Sequence, residues 1–78
     1  MSPDTFLQTL EALMSRQPFT PITIELHSGK RFEIDHPRAT VWREGQGKAI
    51  FLSPGGVPIY FDNESVSQII DSPAHVAP

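Results

Sequence analysis

The chain has 78 residues, no cysteine, six lysines and arginines against nine aspartates and glutamates, and a net charge of −3. This length fits one small domain with a thin core, and the lack of cysteine excludes disulfides and thiolate metal sites. We expect a cytoplasmic protein without a membrane partner, because the sequence shows no signal peptide and no apolar run of the ~20 residues that a membrane span needs.

The first predicted element is an amphipathic helix over about residues 3–16. Ser2 suits the N-cap, Pro3 suits the first helical position, and Asp4 favours the positive end of the helix dipole. Apolar residues then recur at helical spacing, at Phe6, Leu7, Leu10, Leu13 and Met14. This stripe either packs on the sheet of its own domain or forms a docking face for a partner.

A β-hairpin is predicted next, over residues 22–34. Apolar residues alternate with polar ones on both sides of a turn, at Ile22, Ile24, Leu26, Phe32 and Ile34. A connection through residues 28–30, or a bulge beside the turn, places these side chains on one face. This register sets Leu26 opposite Phe32 and makes Gly29 the position of positive φ.

Short apolar stretches predict the remaining strands, at residues 41–42, 49–52, 57–61 and 66–70. Residues 49–52 are apolar almost without a break, which predicts that this strand is buried on both faces. Tyr60 and Phe61 must point to opposite faces of a regular strand, so one of them lies on the surface. A break at Asp35-His36-Pro37 leaves open whether residues 35–42 form a strand or a loop.

The elements together predict an α+β, mainly β, fold, with an N-terminal helix followed by about five short antiparallel strands. Short, bent strands with a helix over one end favour a small Sm/SH3-like barrel, and closing the barrel would also hide the strand edges. We expect a single domain over residues 1–71, with its strands over residues 22–71, and a disordered tail over residues 72–78.

Three segments, residues 4–10, 22–32 and 58–70, follow the layout of a known family. They resemble the helix opening, the first hairpin and the second motif of the Sm-like bacterial RNA chaperones of the Hfq type. The resemblance implies a helix followed by five barrel strands. That family assembles into rings and binds RNA, and the resemblance makes both properties hypotheses for this chain.

The departures from that family bear on RNA binding. The family's second motif carries a Tyr-Lys-His run, whereas here Tyr60 is followed by Phe61 and Asp62. The aromatic residue that the family uses for purines is Glu25 here, and the basic residue after the hairpin turn is retained as Arg31. The resemblance therefore supports the fold more than it supports RNA binding.

The sequence contains no recognisable catalytic constellation, so we predict that the protein is not an enzyme. Its histidines, His27, His36 and His75, match no zinc-binding spacing, and we expect neither a metal nor a cofactor. All the lysines and arginines lie between Arg16 and Lys48. The negative net charge argues against a surface that follows phosphates.

Two hypotheses about function remain open. The first is a non-enzymatic interaction module that self-associates or docks on a protein partner, because a small domain with a thin core gains stability by association. The second is binding of RNA or single-stranded nucleic acid, in which bases stack on aromatic residues beside cations. The candidate surface residues for both are Lys30, Arg31, Arg38, Trp42, Arg43 and Tyr60. For Trp42, packing in the core or in an interface is the favoured role, and base stacking is the alternative.

Overall fold

One helix precedes six strands along the chain. In the computed structural model, which describes residues 1–71, the elements are α1 Pro3–Met14, β1 Ile22–Leu26, β2 Arg31–Ile34, β3 Thr40–Trp42, β4 Lys48–Leu52, β5 Pro58–Asp62 and β6 Val66–Asp71. The strands form a first antiparallel sheet in the order β2-β1-β6 and a second in the order β3-β4-β5. The predicted α+β class is confirmed, and the predicted tail, residues 72–78, lies outside the described residues.

The helix begins where the sequence predicts it and ends earlier. Ser2 is the N-cap, and its side-chain oxygen accepts a hydrogen bond from the N–H of Thr5 at 3.1 Å. The last helical residue is Met14, because Ser15 caps the C-terminus. The hydroxyl and the backbone N–H of Ser15 both donate to the carbonyl oxygen of Glu11, at 2.7 and 3.0 Å. The helix therefore ends two residues before the predicted end at about residue 16.

The apolar stripe of α1 packs on its own domain. Phe6 and Leu10 are fully buried, and the ring of Phe6 meets the ring of Phe61 edge to face, with centroids 5.8 Å apart. The core that they share with both sheets also contains Leu7, Met14, Ile22, Ile24, Ile34, Ala49, Phe51 and Val66. Within residues 1–71, α1 has neither the length nor the apolar character to cross a membrane, and it is the one helix there.

The first hairpin turns earlier than predicted. In the structure Phe32 lies opposite Ile24, whereas the predicted register pairs Phe32 with Leu26. The N–H of Leu26 donates to the carbonyl oxygen of Lys30 at 2.9 Å, so the connection comprises residues 27–29 and not residues 28–30. The apolar side chains still share one face, because the register differs by an even number of residues. The glycine of this connection has a φ of +93°, as predicted.

The break after β2 separates two strands. Residues 35–39 form a loop, in which the N–H of Arg38 donates to Nδ1 of His36 at 3.1 Å. Residues 40–42 form β3. This answers the question that the sequence left open for residues 35–42, and the structure has six strands where about five were predicted.

Strand β4 is buried on one face only, so the prediction of burial on both faces is wrong. Ala49 and Phe51 are buried, whereas Ile50 and Leu52 are 36% and 55% exposed. The second sheet packs its inner face on the core, and no other element among residues 1–71 covers its opposite face at these positions. The second sheet therefore presents an apolar surface to solvent.

Candidate docking surface

The solvent side of the second sheet is apolar across all three of its strands. We call this surface the outer face and define it by Val41, Ile50, Leu52, Pro58 and Tyr60. Val41 lies opposite Ile50 and Ile50 lies opposite Tyr60, which makes one continuous row, while Leu52 and Pro58 make a second. Val41 and Tyr60 are 61% and 71% exposed. Contiguous apolar patches on a soluble domain commonly mark a binding surface.

Aromatic packing in the core determines which side chains belong to the outer face. Phe32 of the first sheet stacks on Phe51, with centroids 5.5 Å apart, and meets Phe61 edge to face at 5.2 Å. These contacts fix the inward side of β4 and β5. Because successive side chains of a strand point to opposite faces, Ile50 and Tyr60 must then face solvent. The prediction that Tyr60 and Phe61 point to opposite faces is confirmed.

Three charged residues lie at one end of the outer face. Lys48 lies opposite Asp62, and Arg43 directly follows β3 at the same end. Asp62 Oδ1 accepts hydrogen bonds from the N–H groups of Ser65 and Glu64, at 2.8 and 3.0 Å. The bond from Ser65 is the main cause that holds the pKa of Asp62 below its ordinary value, and the charge of Lys48 adds to it. This end therefore carries two cations and one ionised carboxylate at neutral pH.

An open groove with a volume of about 720 Å³ runs across this end of the second sheet. Trp42, Arg43 and Tyr60, three of the candidates from the sequence, line it together with Lys48 and Ile50. The indole of Trp42 is half-buried and also packs against the core. The structure thus brings three of the candidates together, and Trp42 has the packing role that the sequence favours for it.

The other three candidates lie away from this groove. Lys30 and Arg31 belong to the first hairpin, and Arg31 Nε donates to Glu25 Oε2 at 3.3 Å. The side-chain amide of Gln68 donates to the other oxygen of Glu25, and this bond is the main cause that lowers the pKa of that carboxyl. Arg38 is exposed in the loop between β2 and β3. Arg31 is therefore held in a cross-strand network of the first sheet.

Most of the outer face is not among the candidate residues that the sequence indicates. The sequence predicts interior positions for Ile50 and Leu52, because an unbroken apolar run is typical of a strand covered on both faces. Lys48 and Asp62 were not singled out, since a single charge on a short strand has no diagnostic pattern. The usable signal was the Tyr60-Phe61 pair: once Phe61 is placed in the core, Tyr60 and its cross-strand neighbours must be exposed.

No group of three or more histidine, aspartate and glutamate side chains within residues 1–71 is arranged to hold a metal ion. Comparisons of the chain with protein-family models, with curated proteins and with solved structures found no match. The resemblance to the Sm-like RNA chaperones therefore stays a prediction from the sequence.

Proposed function

We propose that this protein is a non-enzymatic interaction module that binds another protein through the outer face. The observation that carries the proposal is the exposed row of Val41, Ile50 and Tyr60, which crosses every strand of the second sheet. Burying apolar surface of this kind contributes about 25 cal/mol for each Å² removed from water. The row is continuous, so one flat apolar partner surface could cover all of it.

The charges around the row favour a protein partner over a nucleic acid. Arg43 and Lys48 are accompanied by the ionised carboxylate of Asp62, and the whole chain carries a net charge of −3. Nucleic-acid binding depends on cations that neutralise phosphates, and a carboxylate at the same site opposes it. Protein interfaces combine an apolar centre with a polar rim, and this composition matches the outer face and its charged end.

Nucleic-acid binding is the alternative function, and one observation favours it. Tyr60 is exposed and lines the same groove as Trp42, Arg43 and Lys48, an arrangement on which unpaired bases can stack. This alternative predicts that the chain binds U-rich or A-rich oligonucleotides, that the affinity falls steeply with salt, and that Tyr60→Ala weakens it. Absence of binding to both kinds of oligonucleotide would exclude it.

We also propose that the two sheets are the halves of a small Sm/SH3-like barrel in a cytoplasmic protein. Two connections support the barrel. Residues 35–39 lead from β2 of the first sheet to β3 of the second in a short loop, and residues 63–65 lead from β5 back to β6 in a tight turn. The N–H of His27 donates to the carbonyl oxygen of Ser65 at 2.9 Å, which extends the first sheet towards that turn.

Photo-cross-linking in cells tests the proposed function. A photoreactive phenylalanine analogue replaces Tyr60 in the full chain, and we expect covalent adducts with protein. The matched control places the same analogue at Glu33, which is exposed on β2 of the first sheet, and we expect no adduct there. Adducts with nucleic acid would favour the alternative function. The absence of adducts, or equal yields at the two positions, would contradict the proposal.

A further inference from the structure

The outer face is complementary to itself, and we infer that its partner is a second copy of this chain. This inference rests on the proposed function, because it names the partner of the same surface. The two copies pack their second sheets face to face, about a twofold axis that runs parallel to β4. Under this operation β4 lies over its own copy, and β3 of each chain lies over β5 of the other.

The apolar row matches itself under this operation. Ile50 lies near the axis and meets Ile50 of the other copy. Val41 of each copy meets Tyr60 of the other, so this contact occurs twice. At both places a small side chain faces a large one. Sheets that pack face to face lie about 10 Å apart with their strands within about 30°, which leaves room for one layer of interdigitated side chains.

The charged end matches as well. Arg43 lies on the β3 side of this end and Asp62 lies on the β5 side, with Lys48 on the strand between them. A twofold axis along β4 keeps the charged ends together and places Arg43 of each copy against Asp62 of the other. An isologous interface repeats such a contact on both sides of its axis, so the dimer gains two ion pairs at its rim.

The direction of the axis follows from the same charges. A twofold axis in the plane of the interface but perpendicular to the strands would place the charged end of one copy on Leu52 and Pro58 of the other. Charged groups would then be desolvated without a partner, which is costly. The axis parallel to β4 avoids this cost. Lys48 approaches Lys48 of the other copy, and Asp62, which lies opposite it on the neighbouring strand, offsets that repulsion.

The sequence of β4 is consistent with cover from a second copy. Its nearly continuous apolar run is typical of a strand that is buried on both faces, and packing within residues 1–71 buries only Ala49 and Phe51. A second copy would supply the missing cover for Ile50 and Leu52. Small domains without disulfides often gain stability by association, and this chain has no cysteine.

Cysteine cross-linking tests the proposed axis directly, because the natural chain offers no competing thiol. Ile50→Cys places one thiol of each copy near the axis. We expect a short bismaleimide to convert most of the purified variant to a species of twice the 8.7 kDa chain mass. Ser67→Cys, exposed on β6 of the first sheet, is the matched control and should stay monomeric. No linkage of Ile50→Cys, or equal linkage of the two variants, would overturn the inference.

A pair of charge reversals tests the predicted rim contact. Arg43→Glu sets like charges against Asp62 of the other copy, and the dissociation constant of the dimer should rise about tenfold or more in sedimentation equilibrium. Arg38→Glu changes the net charge equally but lies in the loop between β2 and β3, so its dissociation constant should stay close to that of the unmodified protein. Equal effects of the two variants would overturn the inferred arrangement.

The experiments distinguish a failure of the inferred dimer from a failure of the proposed interaction module. Adducts of the Tyr60 analogue with a different protein, together with no linkage of Ile50→Cys, would overturn the second copy and leave the interaction module in place. Absence of both protein adducts and linkage would overturn the two proposals together. Two results together would support both proposals. The Tyr60 analogue would give adducts at twice the chain mass, and the bismaleimide would link Ile50→Cys but not Ser67→Cys.

Discussion

Gly47 occupies a crowded position just before β4. Its φ is +68°, and a Cβ placed on it would lie 2.6 Å from Asn63 Oδ1 and 3.0 Å from the Cβ of Pro3. Asn63 is not free to move away, because its N–H donates to the carbonyl oxygen of Gly47 and its side-chain amide donates to the carbonyl oxygen of Met1, both at 2.9 Å. The left-handed backbone and the lack of space both require glycine here.

Gly47→Ala should lower the free energy of unfolding by about 1–3 kcal/mol, because it combines backbone strain with a steric contact. Gly55→Ala is the matched control. In the described part of the chain no atom lies within 4 Å of a Cβ at that position, and its φ is not in the left-handed region. Its effect should stay within about 0.5 kcal/mol. Urea denaturation measures both, and equal destabilisation would contradict the role assigned to Gly47.

Glu25 gives the first sheet a dependence on pH. The hydrogen bond from Gln68 and the charge of Arg31 lower the pKa of Glu25, and partial burial opposes them. A carboxyl whose pKa is lower in the folded state stabilises the fold above its ordinary pKa. That contribution is lost as the pH falls from the ordinary glutamate value through the lower, folded value.

Gln68→Ala should reduce this loss, because it removes the main cause of the lowered pKa of Glu25. We expect the free energy of unfolding of the variant to fall less than that of the unmodified protein over that acidic range. Ser67→Ala changes the neighbouring exposed residue of β6 and should follow the unmodified curve. Chemical denaturation at a series of pH values makes the comparison. Parallel curves for Gln68→Ala and the unmodified protein would refute the role of this bond.

At the scale of elements, α1 is held on the sheets by its buried face. Phe6→Ala should cost about 3–5 kcal/mol, because it removes a fully buried ring and the edge-to-face contact with Phe61. Gln8→Ala, on the exposed side of the same helix, should cost no more than about 0.5 kcal/mol. Thermal unfolding followed by circular dichroism measures both variants. A small effect of Phe6→Ala would mean that α1 does not complete the core.

The sequence predicts the helix start and the facing of the hairpin, because both depend on local signals. Ser2 and Pro3 mark the start, and period-two alternation shows which side chains share a face. That alternation cannot choose between registers that differ by two residues, since both place the same side chains inward. The backbone hydrogen bond from Leu26 to Lys30 decides the register, and its geometry is not visible in the pattern.

The exposure of Ile50 and Leu52 lies beyond what the pattern of β4 can predict. An apolar run looks the same whether its second cover comes from its own chain or from a partner. Distinguishing the two requires the sheet assignment and the position of α1, which depend on the whole fold. If a second copy covers the outer face, the apolar run reflects the assembled state, and it misleads when it is applied to one chain.

At the scale of the whole molecule, the fold sorts the candidate residues into separate surfaces. Arg31 and Arg43 are close in sequence, but Arg31 lies in the first sheet, where Glu25 holds it, whereas Arg43 directly follows β3 of the second sheet. Trp42 and Tyr60 are farther apart in sequence, yet they line one groove because β3 and β5 flank β4. The residue types alone indicate the aromatic and basic candidates, whereas the strand order shows which of them lie together.

The molar mass in solution tests the central claim most directly. Light scattering of the unmodified protein, with absorbance at 260 and 280 nm recorded on the same peak, should give twice the 8.7 kDa chain mass and no nucleic-acid signal. Val41→Ser combined with Tyr60→Ser should give the mass of a single chain with an unchanged circular dichroism spectrum, because both side chains are exposed. A single-chain mass for the unmodified protein across the accessible concentrations, or a mass that these substitutions leave unchanged, would contradict the claim that a second copy binds the outer face.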